Sequence, residues 1–379
     1  MSDSSATNRA LNFNAGPAGL PLEVMQQAHQ EFLSYNNTGM SVMEMSHRSP
    51  EFESIIAEAE ANLRSLLHIP SNYRVLFMQG GATTVFSAIP LNFLRSHTSA
   101  AYLITGSWSQ AAAEEAKRYC NQLHVVHSTA PTFDHFPAAS DYTVPADAAY
   151  LHYCHNETVH GVEASYVPKS AVPLVADYSS SFCSQPIDIA AHAVVYAGAQ
   201  KNIGPAGVTV VIVREDMLGQ PSPLTPLMLN YTAMAAGKSM YNTPPTYTIY
   251  MTGLVLQWVK RQGGVEAMQQ RSMAKSERLY AAIDGSGGFY RALVRPGSRS
   301  RMNVVFVVGE GKADVDEFVR EAGERGMVGL AGHRSVGGCR ASLYNAVTVE
   351  QVDALVAFMQ VFASARKVRT KLTISSAKN

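Results

Sequence analysis

The sequence predicts an α/β fold, with a large unit built on a mostly parallel central sheet and a smaller α+β unit at its C-terminal end. Three observations predict it. Short apolar, β-prone runs alternate with helical patterns over roughly the first two thirds of the chain. Glycine turns stand between several of those runs and the helices that follow. After about Gly285 the pattern changes to fewer strands interleaved with charged helices. At 379 residues the chain is too long for one small core, and its 46% apolar and 16% charged composition can fill a large one.

Each element has a local cause. Ser49-Pro50-Glu51 reads as an N-cap followed by proline in the first turn. Phe52, Ile55, Ile56, Ala59, Leu63, Leu66 and Leu67 then recur at helical spacing until Ile69-Pro70 stops them. Residues 73–78 form a strand candidate, followed by the turn Gly80-Gly81-Ala82-Thr83-Thr84 and an apolar helix to Leu94. Residues 101–105 lead through Gly106-Ser107-Trp108 into an alanine-rich helix over 111–119. Further apolar runs end at Cys154, Asp177, Ala197 and Val213. Strands of this buried type, alternating with helices, indicate a parallel sheet whose functional groups gather at the carboxyl ends. Residues 250–285 read as helical, 304–308 as a strand, 314–325 as a helix, 340–344 as a strand and 349–362 as a helix. The expected division is a large unit over 17–265, a small unit over 266–365 joined by the N-terminal segment 8–16, and a loosely ordered polar tail over 366–379.

Composition limits the partners. Formal net charge is zero, so no global field favours nucleic acid or an anionic membrane. Cys120, Cys154, Cys183 and Cys339 lack paired spacing, which argues against a disulfide framework or zinc site and fits a reducing compartment. The opening MSDSSATNRA has no apolar core of a secretory signal, and no apolar run approaches the ~18 residues that span a bilayer. A cytoplasmic protein is expected. His152, His155 and His160 fit no common zinc spacing, so no metal site is expected.

Two residues carry the chemical reading. Lys201 lies between a strand and the glycine-rich turn ending at Gly207, flanked by small residues that let a planar cofactor approach. A partly buried lysine there can lose its proton and form a Schiff base. Asp177 ends an apolar run, which puts its carboxylate at a strand's carboxyl end. A carboxylate beside a lysine in that setting suits pyridoxal 5′-phosphate, because it pairs with the protonated ring nitrogen and keeps the ring an electron acceptor. The 80–84 turn can cradle a phosphate with backbone N–H groups and the helix dipole. Trp108 stands where a ring can stack on a cofactor.

Longer motifs add a resemblance. Residues 12–18 (NFNAGPA), 45–49 (MSHRS), 156–163 (NETVHGVE), 241–245 (YNTPP), 332–334 (GHR) and 337–342 (GGCRAS) resemble, in order, the phosphoserine aminotransferases. The match covers about residues 11–362. It implies a fold-type I pyridoxal-phosphate transferase, working as a homodimer with sites at the subunit interface. The implied reaction moves the amino group of L-glutamate to 3-phosphohydroxypyruvate, giving O-phospho-L-serine and 2-oxoglutarate. Some bacterial members also take 4-phosphohydroxythreonine.

By the same resemblance Lys201 is the Schiff-base and proton-shuttling lysine, Asp177 pairs with the ring nitrogen, and Trp108 stacks on the ring. Thr158 bonds the phenolic oxygen. Ala82, Thr83 and Gln200 hold the cofactor phosphate, with Asn242 and Thr243 reaching it from the neighbouring subunit. The substrates are anions, which arginine binds through paired donors. Arg340 is the candidate for the α-carboxylate, and His47, Arg48, His333 and Arg334 for the phosphate or distal carboxylate. One departure stands out: many members carry an arginine in the glycine turn, where this chain has Thr83. Two alternatives stay open, namely another enzyme of the same fold, such as an alanine–glyoxylate aminotransferase or a cysteine desulfurase, and a non-catalytic anion-binding α/β protein.

Overall fold

The computed structural model describes residues 9–376, with side chains to 366. Residues 1–8 and 377–379, which include Asn8 of the joining segment and the end of the expected tail, lie outside the described residues.

The chain opens with β1 (Leu11–Asn12), α1 (Leu22–Gln30) and α2 (Pro50–Leu67). Ser49 caps α2 as its composition predicts, its hydroxyl accepting the Phe52 N–H with proline in the first turn. Next come β2 (Tyr73–Gln79), α3 (Ala82–Phe93), β3 (Ser99–Ile104), α4 (Ser107–Ala116) and β4 (Gln122–Ser128). β5 (Leu151–Cys154) is followed by a small hairpin of β6 (Asn156–Glu157) and β7 (Val162–Glu163), then β8 (Leu174–Asp177), β9 (Val194–Gly198) and β10 (Val208–Arg214). Three helices follow: α5 (Tyr231–Ala236), α6 (Thr246–Arg261) and α7 (Gly264–Asp284). The chain then forms β11 (Tyr290–Ala292), β12 (Asn303–Val308), α8 (Lys312–Glu324), β13 (Met327–Val328), β14 (Cys339–Ser342) and α9 (Val349–Ser376). The backbone over 366–376, read from sequence as loose tail, thus continues α9.

The main sheet has seven strands in the order β2-β10-β9-β8-β5-β3-β4. Only β10 runs antiparallel to its neighbours, because it returns directly from β9 without a crossover helix. The carboxyl ends of β2, β3, β5, β8 and β9 therefore share one edge, where parallel α/β sheets collect their ligands.

Both faces of this sheet are covered. On one face Phe52, Leu63, Leu254 and Val255 from α2 and α6 pack against Leu103, Ala176 and Val195. On the other, Phe86, Ile89, Ala112 and Ala113 from α3 and α4 pack against Tyr102, Val175 and Tyr196. A third core joins Phe306 of β12 to Phe318 of α8 and to Phe358 and Phe362 of α9. The three-stranded antiparallel sheet β11-β12-β14 backs it. Phe13 belongs to this core, and β1 pairs in parallel with β13, so the N-terminal segment is built into the C-terminal packing unit.

The helix α7 crosses the expected division at residue 265. Its first turns (Val265, Met268) pack in the first core and its last (Leu279, Ile283) in the third. Between them the buried Lys275 ammonium donates to the carbonyls of Leu343, Tyr344 and Val347 at 2.7–2.8 Å. Three acceptors match the three donors of a protonated lysine, although burial lowers its pKa to about 7, and they tie α7 to the connection between β14 and α9. Among the described residues no helix is long and apolar enough to cross a membrane.

Candidate active site

Lys201 sits just beyond β9, only 8% exposed, in the short connection to β10. The N-terminal segment closes over it: Gly16, at φ +131°, comes so near that a Cβ there would lie 3.1 Å from Lys201 Cγ. The lysine Nζ donates to Thr158 Oγ1 at 2.6 Å and lies 5.6 Å from the centroid of the Trp108 ring. Burial lowers the pKa of its amine, and the Asp177 carboxylate opposes that shift. A buried amine of this kind is more readily freed of its proton and can act as a nucleophile.

Asp177 is the last residue of β8, buried, with Oδ1 accepting the Ser179 N–H at 2.8 Å. Burial raises its pKa, while bonds from Ser179 and the Lys201 charge pull it down. Trp108 occupies the first turn of α4, packed against the second core, and its buried indole Nε1 has no hydrogen-bond partner among the described residues. Thr158 follows the hairpin strand β6. Sequence reasoning named all four, and the fold brings them together.

The residues expected to bind phosphate lie on a helix N-terminus and on two connections. Ala82 and Thr83 open the 12-residue α3, whose first N–H groups point away from its own hydrogen-bond ladder. Gln200 precedes Lys201 and is half-buried. Asn242 and Thr243 are exposed beside the end of β2, where Gln79 Nε2 donates to Asn242 Oδ1 at 3.0 Å and to the Thr243 carbonyl at 2.9 Å.

Arg340 reaches in from β14 and donates through Nη1 to the Thr158 carbonyl at 3.1 Å, and its buried Nε has no hydrogen-bond partner among the described residues. His333 bonds Ser335 Oγ at 2.7 Å. Burial and the charges of Arg340 and Arg334 lower its pKa, which places the three in one electrostatic neighbourhood. His47 and Arg48 lie on the loop before α2. Among the described residues no hydrogen bond joins them to the Lys201 group, and His47 Nε2 is buried without a partner.

Two contributors escaped the sequence reading. Glu157 is fully buried, and its carboxylate accepts Trp108 N–H at 2.9 Å, Ser109 N–H at 2.8 Å and Ser109 Oγ–H at 2.6 Å. It holds the N-terminus of α4 and so fixes where the Trp108 ring stands. Gly106 makes room for it, since a Cβ there would overlap the carboxylate. His160, weighed from sequence only as a metal ligand, accepts the Ser107 N–H through Nδ1 at 3.3 Å; burial and His333 depress its pKa to about 4. Both partnerships join residues about fifty positions apart, which no local pattern reveals.

The residues fit pyridoxal phosphate. A buried amine, a buried carboxylate on the neighbouring strand end, an unpaired indole N–H and a free helix N-terminus stand around one strand edge.

Comparison with known proteins agrees. The class-V aminotransferase family profile matches residues 10–355. The phosphoserine aminotransferase of Laribacter hongkongensis is 54% identical over 354 residues, which is 93% of this chain and 98% of that protein. The solved phosphoserine aminotransferase of Bacillus circulans subsp. alkalophilus superposes with a TM-score of 0.92 at 48% identity, covering 94% of this chain and 99% of that one. The pyridoxal-phosphate-bound enzyme of Trichomonas vaginalis superposes with a TM-score of 0.90 at 40% identity, covering 93% and 100%. The chain belongs to the class-V aminotransferases and, within them, to the phosphoserine aminotransferases.

Proposed function

We propose that this chain binds pyridoxal 5′-phosphate covalently through Lys201 and uses it to pass the amino group of L-glutamate to 3-phosphohydroxypyruvate, in the supply of serine. The observation that carries the reading is the buried Lys201 amine between Thr158, Trp108 and the Asp177 strand end. When bound, the cofactor supplies an electron sink for the substrate carbon that gains or loses the amino group.

This chain's residues supply the rest. Asp177 keeps a negative charge for the ring nitrogen, Trp108 offers its face to the ring, and the Thr158 hydroxyl orients polar groups beside Lys201 Nζ. Ala82, Thr83 and Gln200 are the proposed phosphate holders. Lys201 Nζ, once free of the cofactor, is placed to move the proton of the substrate Cα. The unpaired Arg340 Nε supports binding of the α-carboxylate, and His333, Arg334, His47 and Arg48 are proposed for the distal anion.

A homodimer is part of the proposal. Exposed apolar side chains on α1 and the loop after it, including Leu33 at 80% exposure, are joined through the Phe32–Tyr247 ring contact to the α6 side of the molecule. Leu224, at 84% exposure, and Tyr241 lie on the segment that leads to Asn242 and Thr243. Such surface is typical of an interface. The four free cysteines fit a cytoplasmic setting.

The test is a half-reaction. O-phospho-L-serine alone should remove the visible absorption of the purified protein, and 2-oxoglutarate should restore it with formation of glutamate. Lys201→Ala should lack the original absorption band. Failure of phosphoserine to bleach the wild-type band, where alanine or cysteine succeeds, would reject this substrate assignment.

A further inference from the structure

The buried face of the sheet behind Asp177 carries a polar chain that the reaction as described does not use. Tyr196 of β9 pairs in register with Asp177 of β8, so both side chains leave the sheet on the same face. His152 of β5 pairs with Val175, two residues before Asp177, and shares that face. The His152 Nε2 and the Tyr196 hydroxyl oxygen are 2.8 Å apart. The imidazole is stacked on Tyr102, centroids 4.9 Å apart and planes 27° from parallel, which fixes the ring's orientation. Both groups are completely buried. Among the described residues His152 Nδ1 has no hydrogen-bond partner.

The proton count decides how this chain is polarised. Burial holds His152 neutral and keeps the Tyr196 hydroxyl protonated, so one ring hydrogen and one hydroxyl hydrogen are available. If Tyr196 donated to His152, the ring hydrogen would sit on Nδ1, a buried N–H with no acceptor, and Tyr196 would have nothing to give Asp177. If Nε2 carries the hydrogen, it donates to the tyrosine oxygen. The tyrosine hydrogen is then free for Asp177, and only a bare Nδ1 lone pair lacks a partner. Orphaned buried N–H groups are the rarer defect, so the second arrangement wins. The register sets the Tyr196 side chain beside that of Asp177 on this face, and Tyr196 is among the groups that pull the Asp177 pKa down against burial.

We infer that His152 and Tyr196 are positioning residues, a relay running His152 Nε2–H to the Tyr196 hydroxyl and on to Asp177, which keeps that carboxylate charged and aimed. The inference rests on the reading of Asp177 as the partner of the cofactor's ring nitrogen. A donor into a buried carboxylate stabilises its ionised form, and a chain of two donors does so more strongly than one. Without the relay, burial pushes Asp177 toward the neutral acid, which accepts poorly from a protonated ring nitrogen.

Two measurements test it. Nitrogen-15 spectra of histidine-labelled apoprotein, with the His152 signals assigned by their loss in His152→Gln, should show protonated Nε2 and bare Nδ1 at neutral pH. A protonated Nδ1 or an imidazolium overturns the relay. Cofactor affinity, by fluorescence titration of apoprotein with pyridoxal phosphate, should weaken on the order of tenfold in Tyr196→Phe, with kcat reduced and the substrate KM values held. His152→Phe should behave similarly, and His152→Gln, whose amide restores a donor, should recover much of the loss. Unchanged affinity and kcat in Tyr196→Phe overturn the inference, as does equal loss in both His152 variants. If Tyr196→Phe does not fold, the His152 pair decides. Asp177→Asn separates the two levels: if it leaves cofactor affinity intact, the reading of Asp177 is wrong; if it weakens affinity while Tyr196→Phe does not, only the relay is wrong.

Discussion

Thr83 is exposed in the first turn of α3, at the helix N-terminus proposed to hold the cofactor's phosphate. The resemblance implies a second role for this turn: the arginine that many members carry in it helps to bind the substrate's phosphate, and a hydroxyl attracts a dianion less than a guanidinium does. Thr83→Arg should therefore lower KM for the phosphorylated substrate on the order of tenfold at low ionic strength, with a smaller effect on glutamate. The gain should shrink in added salt, since the position is open to solvent. Steady-state kinetics at two salt concentrations checks this, and an unchanged KM would place the substrate phosphate elsewhere. His160 and His333 bear on the same question. Burial lowers the pKa of both, that of His160 to about 4, and the charges of Arg340 and Arg334 lower that of His333 further, so the cluster offers imidazole groups beside those guanidinium groups.

At the scale of elements, the site depends on how α4 is held. Its N-terminal N–H groups end on the buried Glu157 carboxylate instead of on water. Removing that carboxylate leaves two backbone donors, the Trp108 and Ser109 N–H groups, unpaired, each costing about 1–3 kcal/mol, while the Ser109 hydroxyl keeps the Gly106 carbonyl at 3.1 Å. Glu157→Ala should lower the melting temperature by several degrees and weaken cofactor binding by loosening the Trp108 ring. With Trp258→Phe as background, Trp108 becomes the sole tryptophan, and the mutant's emission should be quenched less by bound cofactor than the parent's. Identical quenching would mean that Glu157 supports the helix without setting the ring. The connection from β9 to β10 shows another element-level cause. A direct antiparallel return keeps Lys201 within a short link whose ends are fixed by pairing on both sides.

For the whole molecule, acid stability follows from buried imidazoles. His152 and His155 have pKa values depressed to about 3 from 6.5 by burial. The unfolded chain binds their protons near pH 6.5, whereas the native protein resists until about pH 3. Their stabilising contribution is therefore complete above about pH 6.5 and is lost as pH falls toward 3, by about 1.4 kcal/mol per pH unit for each histidine. Melting temperatures between pH 7 and pH 4 should fall steeply, and His155→Gln should give a shallower fall. An unchanged slope would show that other groups govern the acid limb.

The amino-acid sequence by itself determined the fold class and the strand-turn-helix order, and it pointed to Lys201, Asp177 and Trp108 as the proposed chemical core; Thr158 entered only through the resemblance carried by residues 156–163. Periodicity, caps and turn glycines are local signals, and each of those three residues sits at a strand end or turn that such signals mark. Only the tertiary structure showed the contacts of Glu157, His160, Tyr196 and the side chain of Arg340. Their partners come from strands and helices far away in the chain, and sheet order sets those encounters. The structure also decided that β10 runs against its neighbours, that Leu11 and Asn12 pair with the C-terminal unit, and that α7 serves two cores. Strand order and helix sharing depend on which apolar faces find each other, a property of the packed molecule that no window of sequence contains.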